Sequence, residues 1–584
     1  MTTVPYRDAG ISVEQRVEDL VQRLTLEDKV GLMFHTMAVP VDPDAEVFGR
    51  QSVRSLITNH SMNHFNVLGA APDVRAFAEW HNAVQQIAAD RPLGIPVTFS
   101  SDPRHGFTDN PLTAALAGPF SQWPDPIGLA AIGSSELVET FANIARQEYL
   151  SVGIRVALHP QVDLATEPRW CRIHGTFGEN VEVSEQLVGA YIRGFQGTEV
   201  GPQSVSCMTK HFPGGGPQKD GEDPHFSYGR EQVYPGQQFE LHLRPFEAAI
   251  AAGGSQMMPY YGIPVGLNYE EVGFAFNKSV ITELLRNRLQ FDGIVCTDWG
   301  LLTNFEFFGE PVAARAWGVE HLSRDERVIK ALDAGVDQFG GETCTEQIIE
   351  LVRAGRVSEV RLDVSVRRLL REKFVLGLFD TPHVDVDRAE TILGKAEFRR
   401  AGLQAQSQSV TVLTNENRAS STLPLGPNLA IYAESIDRDT LGEYATVVDS
   451  VSDADFAILR VRAPYEVRDG GFERLFHAGS LEFSDTDMLR LVEVCRAVPT
   501  VIDVHLDRPA VLGELSSASV AIVATYGCCD RALFDVLFGR VQPLGRLPFD
   551  LPVSMEAVVE SREDVPFDTV APLFRCGHGL RLSV

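Results

Sequence analysis

The residues best suited to chemistry stand where short apolar runs end. Gly293-Ile-Val-Cys-Thr297 has the composition of a buried strand and stops abruptly at Asp298, Trp299 and Gly300. A carboxylate beside an indole is poor core material and good equipment for a sugar. The carboxylate can attack or stabilise a sugar carbon, and the indole offers a flat face to a pyranose ring. The pattern recurs upstream. Residues 95–99 run into Asp102, Arg104 and His105. Residues 156–159 lead to Asp163 and then Arg169, Trp170 and Arg172. Residues 204–208 lead to Lys210 and His211, and 255–258 to Tyr260 and Tyr261. One polar residue after a strand is usually a cap. Five clusters in succession converge on one pocket if the strands run parallel, because parallel strands share one C-terminal face.

The elements that must position these groups follow from periodicity. Apolar residues at helical spacing (Val17, Leu20, Val21, Leu24) mark 13–32 as helical, and 74–88, 135–152, 184–197, 237–252 and 280–289 also read as helices. Strands alternating with helices imply a mostly parallel sheet with helical crossovers. That many units in residues 1–380 suits an α/β fold of the (β/α)8-type barrel kind, with an open sheet as the alternative by pattern alone. A break follows near 377–388, and 381–408 is read as a linker. Strand-like runs at 410–413, 428–432, 456–461, 501–504 and 520–526, with helices near 486–496 and 531–537, make 409–584 a smaller α/β sandwich domain.

The chain's 584 residues suffice for two cores, and 44% hydrophobic residues exclude global disorder. The formal charge of 51 − 79 = −28 argues against nucleic acid or an anionic membrane as partner. No apolar run reaches the roughly 18–20 residues of a membrane span, and the N-terminus shows no secretory pattern, so a cytoplasmic location is expected. The eight cysteines have neither C-x-x-C nor zinc spacing, which predicts buried thiols, no structural metal and no disulfide framework.

Taken in order, several segments resemble glycoside hydrolase family 3, the β-glucosidase-like family. They are Leu24-Thr-Leu-Glu-Asp-Lys-Val-Gly31, Gly94 to Gly106, and Glu167-Pro-Arg-Trp-Cys-Arg-Ile-His-Gly-Thr-Phe-Gly-Glu179, with Cys171 replacing a glycine. Lys210-His-Phe-Pro-Gly214, Cys296-Thr-Asp-Trp299, Leu544-Gly-Arg-Leu-Pro548 and Phe574-Arg-Cys-Gly-His-Gly-Leu580 complete the set. The resemblance implies a pocket between barrel and sandwich and an exo-acting retaining β-glycosidase without cofactor, releasing terminal β-D-glucosyl residues from short β-glucosides. It implies Asp298 as nucleophile, and Asp102, Arg172, Lys210, His211, Tyr260 and Trp299 as sugar-binding groups. Charged and polar donors around a carboxylate acceptor can read each hydroxyl of an uncharged sugar. His105 reads as structural.

The general acid/base is less clearly marked. One family pattern has Glu two residues before Pro-Tyr, where this chain has Arg462, and arginine cannot give up a proton at neutral pH. A second pattern leaves Glu473, or Asp469 beside it, and Glu473 is the expectation. The rival is Asp223 with His225, which resembles the Asp–His pair of the family's N-acetyl-β-glucosaminidases and glycoside phosphorylases; that is the alternative activity. A silent sugar-binding protein, or a lyase using Lys210, are readings from other classes. The glycine run after His211 is expected to form a flexible active-site loop. A homo-oligomer is left open.

Overall fold

A computed structural model describes residues 4–47, 49–69, 73–108, 110, 114–307, 309–415 and 422–582. Eight short parallel strands form the first sheet: β1 Phe34–Ala38, β2 His64–Val67, β3 Thr98–Ser101, β4 Ile154–Ala157, β5 Ser206–Phe212, β6 Gln256–Pro259, β7 Ile294–Val295 and β8 Phe339–Gly340. β8 pairs with β1, and each strand pairs with the next through β7. The ring closes where Cys296 bridges Gln338 in parallel and Thr297 N donates to Gln338 O at 2.9 Å. This is the expected barrel. Helices such as Val74–Ala89, Ser135–Ser151, Val181–Gln196 and Glu359–Val375 join or flank the strands. Nearly every strand residue is buried, as a sheet wrapped by helices requires.

The sequence sets helix ends locally. Ser12 with Gln15, Thr25 with Asp28 and Ser323 with Glu326 each form a reciprocal capping box. Thr25 therefore splits the single helical stretch expected at 13–32 into Val13–Val21 and Leu26–Leu32. The segment 381–408 is largely helical, with Val386–Ile392 and Ala396–Ser409.

The second sheet has six strands: β9 Thr411–Asn415, β10 Ala430–Glu434, β11 Thr446–Val448, β12 Phe456–Arg462, β13 Thr500–His505 and β14 Ala521–Thr525. Their spatial order is β9-β14-β13-β12-β10-β11, and only β9 runs antiparallel. The two halves are tied together by buried polar groups. The Glu179 carboxylate accepts from the backbone N–H of Asp550 and Phe567. Arg508, fully buried, donates to the carbonyls of Arg169, Pro464, Ala478, Gly479 and Ser480. It thereby pins the 464–480 loop against the barrel. Arg508→Met would remove the side-chain donor from these carbonyls, of which Ala478 O alone keeps a backbone donor, Glu466 N, among the described residues. It is expected to lower unfolding stability by about 2–4 kcal/mol in urea titration, since unsatisfied buried groups lose their full desolvation cost.

Candidate active site

The polar clusters after β3 to β7 meet at the C-terminal mouth of the barrel, around a cavity of about 360 Å³. Asp102, Arg172, Lys210, His211, Asp298 and Trp299 all line it. Asp298 follows β7 and is 8% exposed. Its Oδ1 accepts from the Tyr261 hydroxyl and from Trp299 N, both at 2.8 Å. Oδ2 lies 3.9 Å from His211 Nε2. Burial pushes this carboxyl up, but His211, His225, Lys210 and Arg172 together bring it below its ordinary value. The group is therefore an anion held among donors, which is the state a nucleophile needs.

The floor is a chain of paired groups. Lys210 Nζ is 3.0 Å from Asp102 Oδ1, and Asn66 Nδ2 donates to Oδ2 at 3.0 Å. His211 Nδ1 pairs with Asp163 Oδ2 at 2.8 Å, so its Nε2 can accept from Arg172 Nη2 at 3.2 Å. Burial drives His211 down to about 4, against the pull of Asp163, and keeps the imidazole neutral at pH 7. Three carboxylates, Asp102, Asp163 and Asp298, thus surround two cations, Lys210 and Arg172, and the neutral His211. A floor rich in donors and acceptors suits a polyol. Asp163 was visible in the sequence as a polar residue after a strand, but nothing there paired it with His211.

Two tyrosines exchange places relative to expectation. Tyr260 is fully buried, does not line the cavity, and donates to Asp223 Oδ2 at 2.9 Å. Tyr261 lines the cavity and holds Asp298. Side chains alternate across a strand and its continuation, so a shift of one residue exchanges front and back. Trp299 lines the cavity, and its buried Nε1 has no partner among the described residues.

Glu473 does not line the cavity. It is partly exposed and accepts from the Tyr228 hydroxyl at 3.0 Å. Asp469 is exposed. The sandwich domain instead delivers Phe472 to the cavity wall. His225 lines the cavity too, with ring centroids 6.1 Å from Phe472, 5.0 Å from Phe476 and 4.8 Å from Tyr261. Its Nδ1 is 2.5 Å from Asp223 Oδ1, and its Nε2 has no partner among the described residues. Asp223 is fixed in turn by Trp170 Nε1 at 3.0 Å and by Tyr260. Burial pulls His225 below its ordinary value, with Asp223 opposing. Arg315 Nε clamps the carbonyl of His225 at 3.2 Å, and its Nη1 that of Trp299 at 3.0 Å.

The glycine run after His211 is packed, not the flexible loop expected. Residues 212–218 are all buried. A Cβ on Gly216 would sit 1.8 Å from Leu164 O, and one on Gly215 would sit 2.8 Å from the Tyr260 ring. These glycines serve close approach of backbone to the Asp163 side of the site. His105 pairs with Glu148 at 2.9 Å and does not line this cavity. Among the described residues no cluster of metal-ligating side chains occurs.

Comparison with known proteins identifies the family. Residues 25–372 match the Glycosyl hydrolase family 3 N terminal domain, and 401–582 match the Glycosyl hydrolase family 3 C-terminal domain. The chain is 51% identical over 579 residues to a probable beta-glucosidase C of Aspergillus flavus, covering 98% of this chain and 91% of that protein. It is 37% identical to a periplasmic beta-glucosidase/beta-xylosidase of Dickeya chrysanthemi, over 99% and 91% of the two chains. Among solved structures, a β-glucosidase from Erythrobacter marinus superposes with a TM-score of 0.79 at 20% identity. That match covers 100% of this chain and 84% of the other.

Proposed function

The chain belongs to glycosyl hydrolase family 3 and is therefore a glycosidase, and from that premise we propose a retaining β-glucosidase in which Asp298 attacks and His225 moves the proton. Membership supports a sugar as substrate, and the polar lining of the cavity suits one. Near-complete alignment with relatives named β-glucosidases at about half identity supports glucose as that sugar. Asp298 would bond to the anomeric carbon while His225 protonates the departing oxygen. In the second step His225 would take a proton from water, which displaces the carboxylate.

The observation that carries the assignment of acid/base is position. His225 lines the cavity with Asp298 and presents an Nε2 without a partner among the described residues, whereas Glu473 is engaged by Tyr228 outside it. Asp223 would hold the imidazole in the right tautomer and stabilise its protonated form. Asp102, Lys210, Arg172 and His211 would read the sugar hydroxyls, and Trp299 would wall the ring. All eight cysteines are free thiols, which fits a reducing compartment such as the cytoplasm. No helix among the described residues is long and apolar enough to cross a membrane.

A panel of aryl β-glycosides assayed with and without phosphate tests the activity. The glucoside should exceed the xyloside and the N-acetylglucosaminide in kcat/KM by about tenfold or more, the range one pocket contact can supply. Free glucose should be the product in both buffers. Glucose 1-phosphate, or preference for the N-acetylglucosaminide, would transfer the protein to the alternative activity.

A further inference from the structure

The mouth of the catalytic cavity is built differently from its floor. The loop after β1 lines it with Val39, Val41 and Val47, and the hairpin of Phe305–Phe307 and Glu310–Val312 adds Phe305. Val41 is 42% exposed, so apolar surface faces open space beside the site. Set among these side chains is Arg50, half-buried and lining the same mouth. An antiparallel bridge between Val47 and Arg50, with Arg50 N donating to Val47 O at 3.1 Å, fixes its backbone. Its guanidinium has no hydrogen-bond or ion-pair partner among the described residues. Burial pulls it below its ordinary value, and the charge of Glu342 only partly opposes this.

That combination is unusual chemistry for a mouth serving only glucose. A guanidinium has five donors and no acceptor, and its planar fork matches a carboxylate. Leaving it half-buried and unpaired costs free energy that a bound anion recovers. The other arginines of the cavity are already engaged: Arg172 with His211, Arg315 with two carbonyls. Asp42 and Glu306 also line the mouth, but both are exposed, where water and salt screen them more than the half-buried Arg50 is screened.

We infer that the preferred aglycone is an aromatic ring bearing a carboxylate, so that the natural substrates are β-glucosides of phenolic acids. The ring rests on Val39, Val41 and Phe305, and the carboxylate pairs with Arg50. This rests on the β-glucosidase reading and narrows it.

The test compares 3- and 4-carboxyphenyl β-glucosides with the corresponding carboxamides, which match them in shape. In the wild type at least one carboxylate should exceed its carboxamide in kcat/KM by about tenfold or more, through KM, as a charge-assisted pair can supply. Arg50→Met should reduce that ratio to within about twofold while carboxamide hydrolysis continues. Arg50→Lys should restore part of it. Independently of any variant, benzoate should inhibit the wild type more strongly than benzamide. Equal rates for both carboxylate–carboxamide pairs in the wild type, or a preference that survives Arg50→Met, overturns the inference alone. Failure to turn over any of the four glucosides removes the β-glucosidase reading, and the inference with it.

Discussion

Asp298→Asn is expected to lower kcat on an activated aryl β-glucoside by on the order of 10⁴- to 10⁶-fold, the scale on which loss of a nucleophile acts. The fold should survive. The amide keeps the shape of the carboxylate and can still accept from Tyr261 and Trp299 N through its oxygen. What it loses is the negative charge that Lys210 and Arg172 hold in place and the electron pair that would reach the anomeric carbon. Substrate affinity should change far less than kcat, because Asp102, Lys210 and Arg172 remain to bind the ring. Incubating wild-type protein with a 2-fluoro glucoside carrying a good leaving group should add one fluoroglucosyl unit. Peptide mapping should place it on Asp298. A label on any other carboxylate, or a product of inverted configuration, would remove Asp298 from its role.

Much of this site was legible because its parts lie one to a few residues beyond apolar strands. Asp102, Lys210, His211 and Asp298 each follow or end a strand whose run of small and branched residues is easy to see. Three barrel strands were not legible. β1 is Phe-His-Thr-Met-Ala and β2 is His-Phe-Asn-Val, so polar residues interrupt the apolar run, and β8 has only two residues. Those polar residues look inward and form a network of their own: His35 Nε2 contacts Ser100 Oγ at 2.7 Å and Nδ1 contacts Gln338 Oε1 at 3.2 Å. A strand whose inner face is polar has no pattern that distinguishes it from a loop. The Tyr260 and Tyr261 exchange has a similar origin. Both are adjacent aromatics after β6, and only the geometry after Pro259 decides which one faces Asp298. His225 was the hardest case. It lies in a long excursion after β5, where order along the chain says nothing about proximity; three-dimensional closure alone brings it beside Tyr261 and Phe472.

Replacing His225 by Gln should therefore separate substrates by leaving group. General acid catalysis contributes about 10²- to 10⁴-fold where the departing oxygen needs a proton. An alkyl β-glucoside should lose rate on that scale. A 2,4-dinitrophenyl β-glucoside, whose leaving group departs as a stable anion, should form the glycosyl-enzyme almost as fast as before and then accumulate it, because water is no longer deprotonated. Azide needs no general base, so it should restore turnover and yield glucosyl azide. Glu473→Gln should leave both substrates within about threefold of wild type, since surface changes away from the reacting atoms have small effects. The pH profile carries the same sign. Asp298 must be ionised, and its pKa lies below the ordinary 3.8. His225 must be protonated to act as acid, and burial holds its pKa below the ordinary 6.5. Activity on alkyl glucosides should thus be bell-shaped with an acidic optimum, falling on the alkaline side through a pKa under 6.5. With the 2,4-dinitrophenyl substrate under single-turnover conditions that alkaline limb should vanish, because the first step no longer depends on the imidazole's proton. If Glu473→Gln instead shows the leaving-group split and azide rescue, the proton passes through the sandwich-domain carboxylate, and the 470–476 loop must move to bring it there.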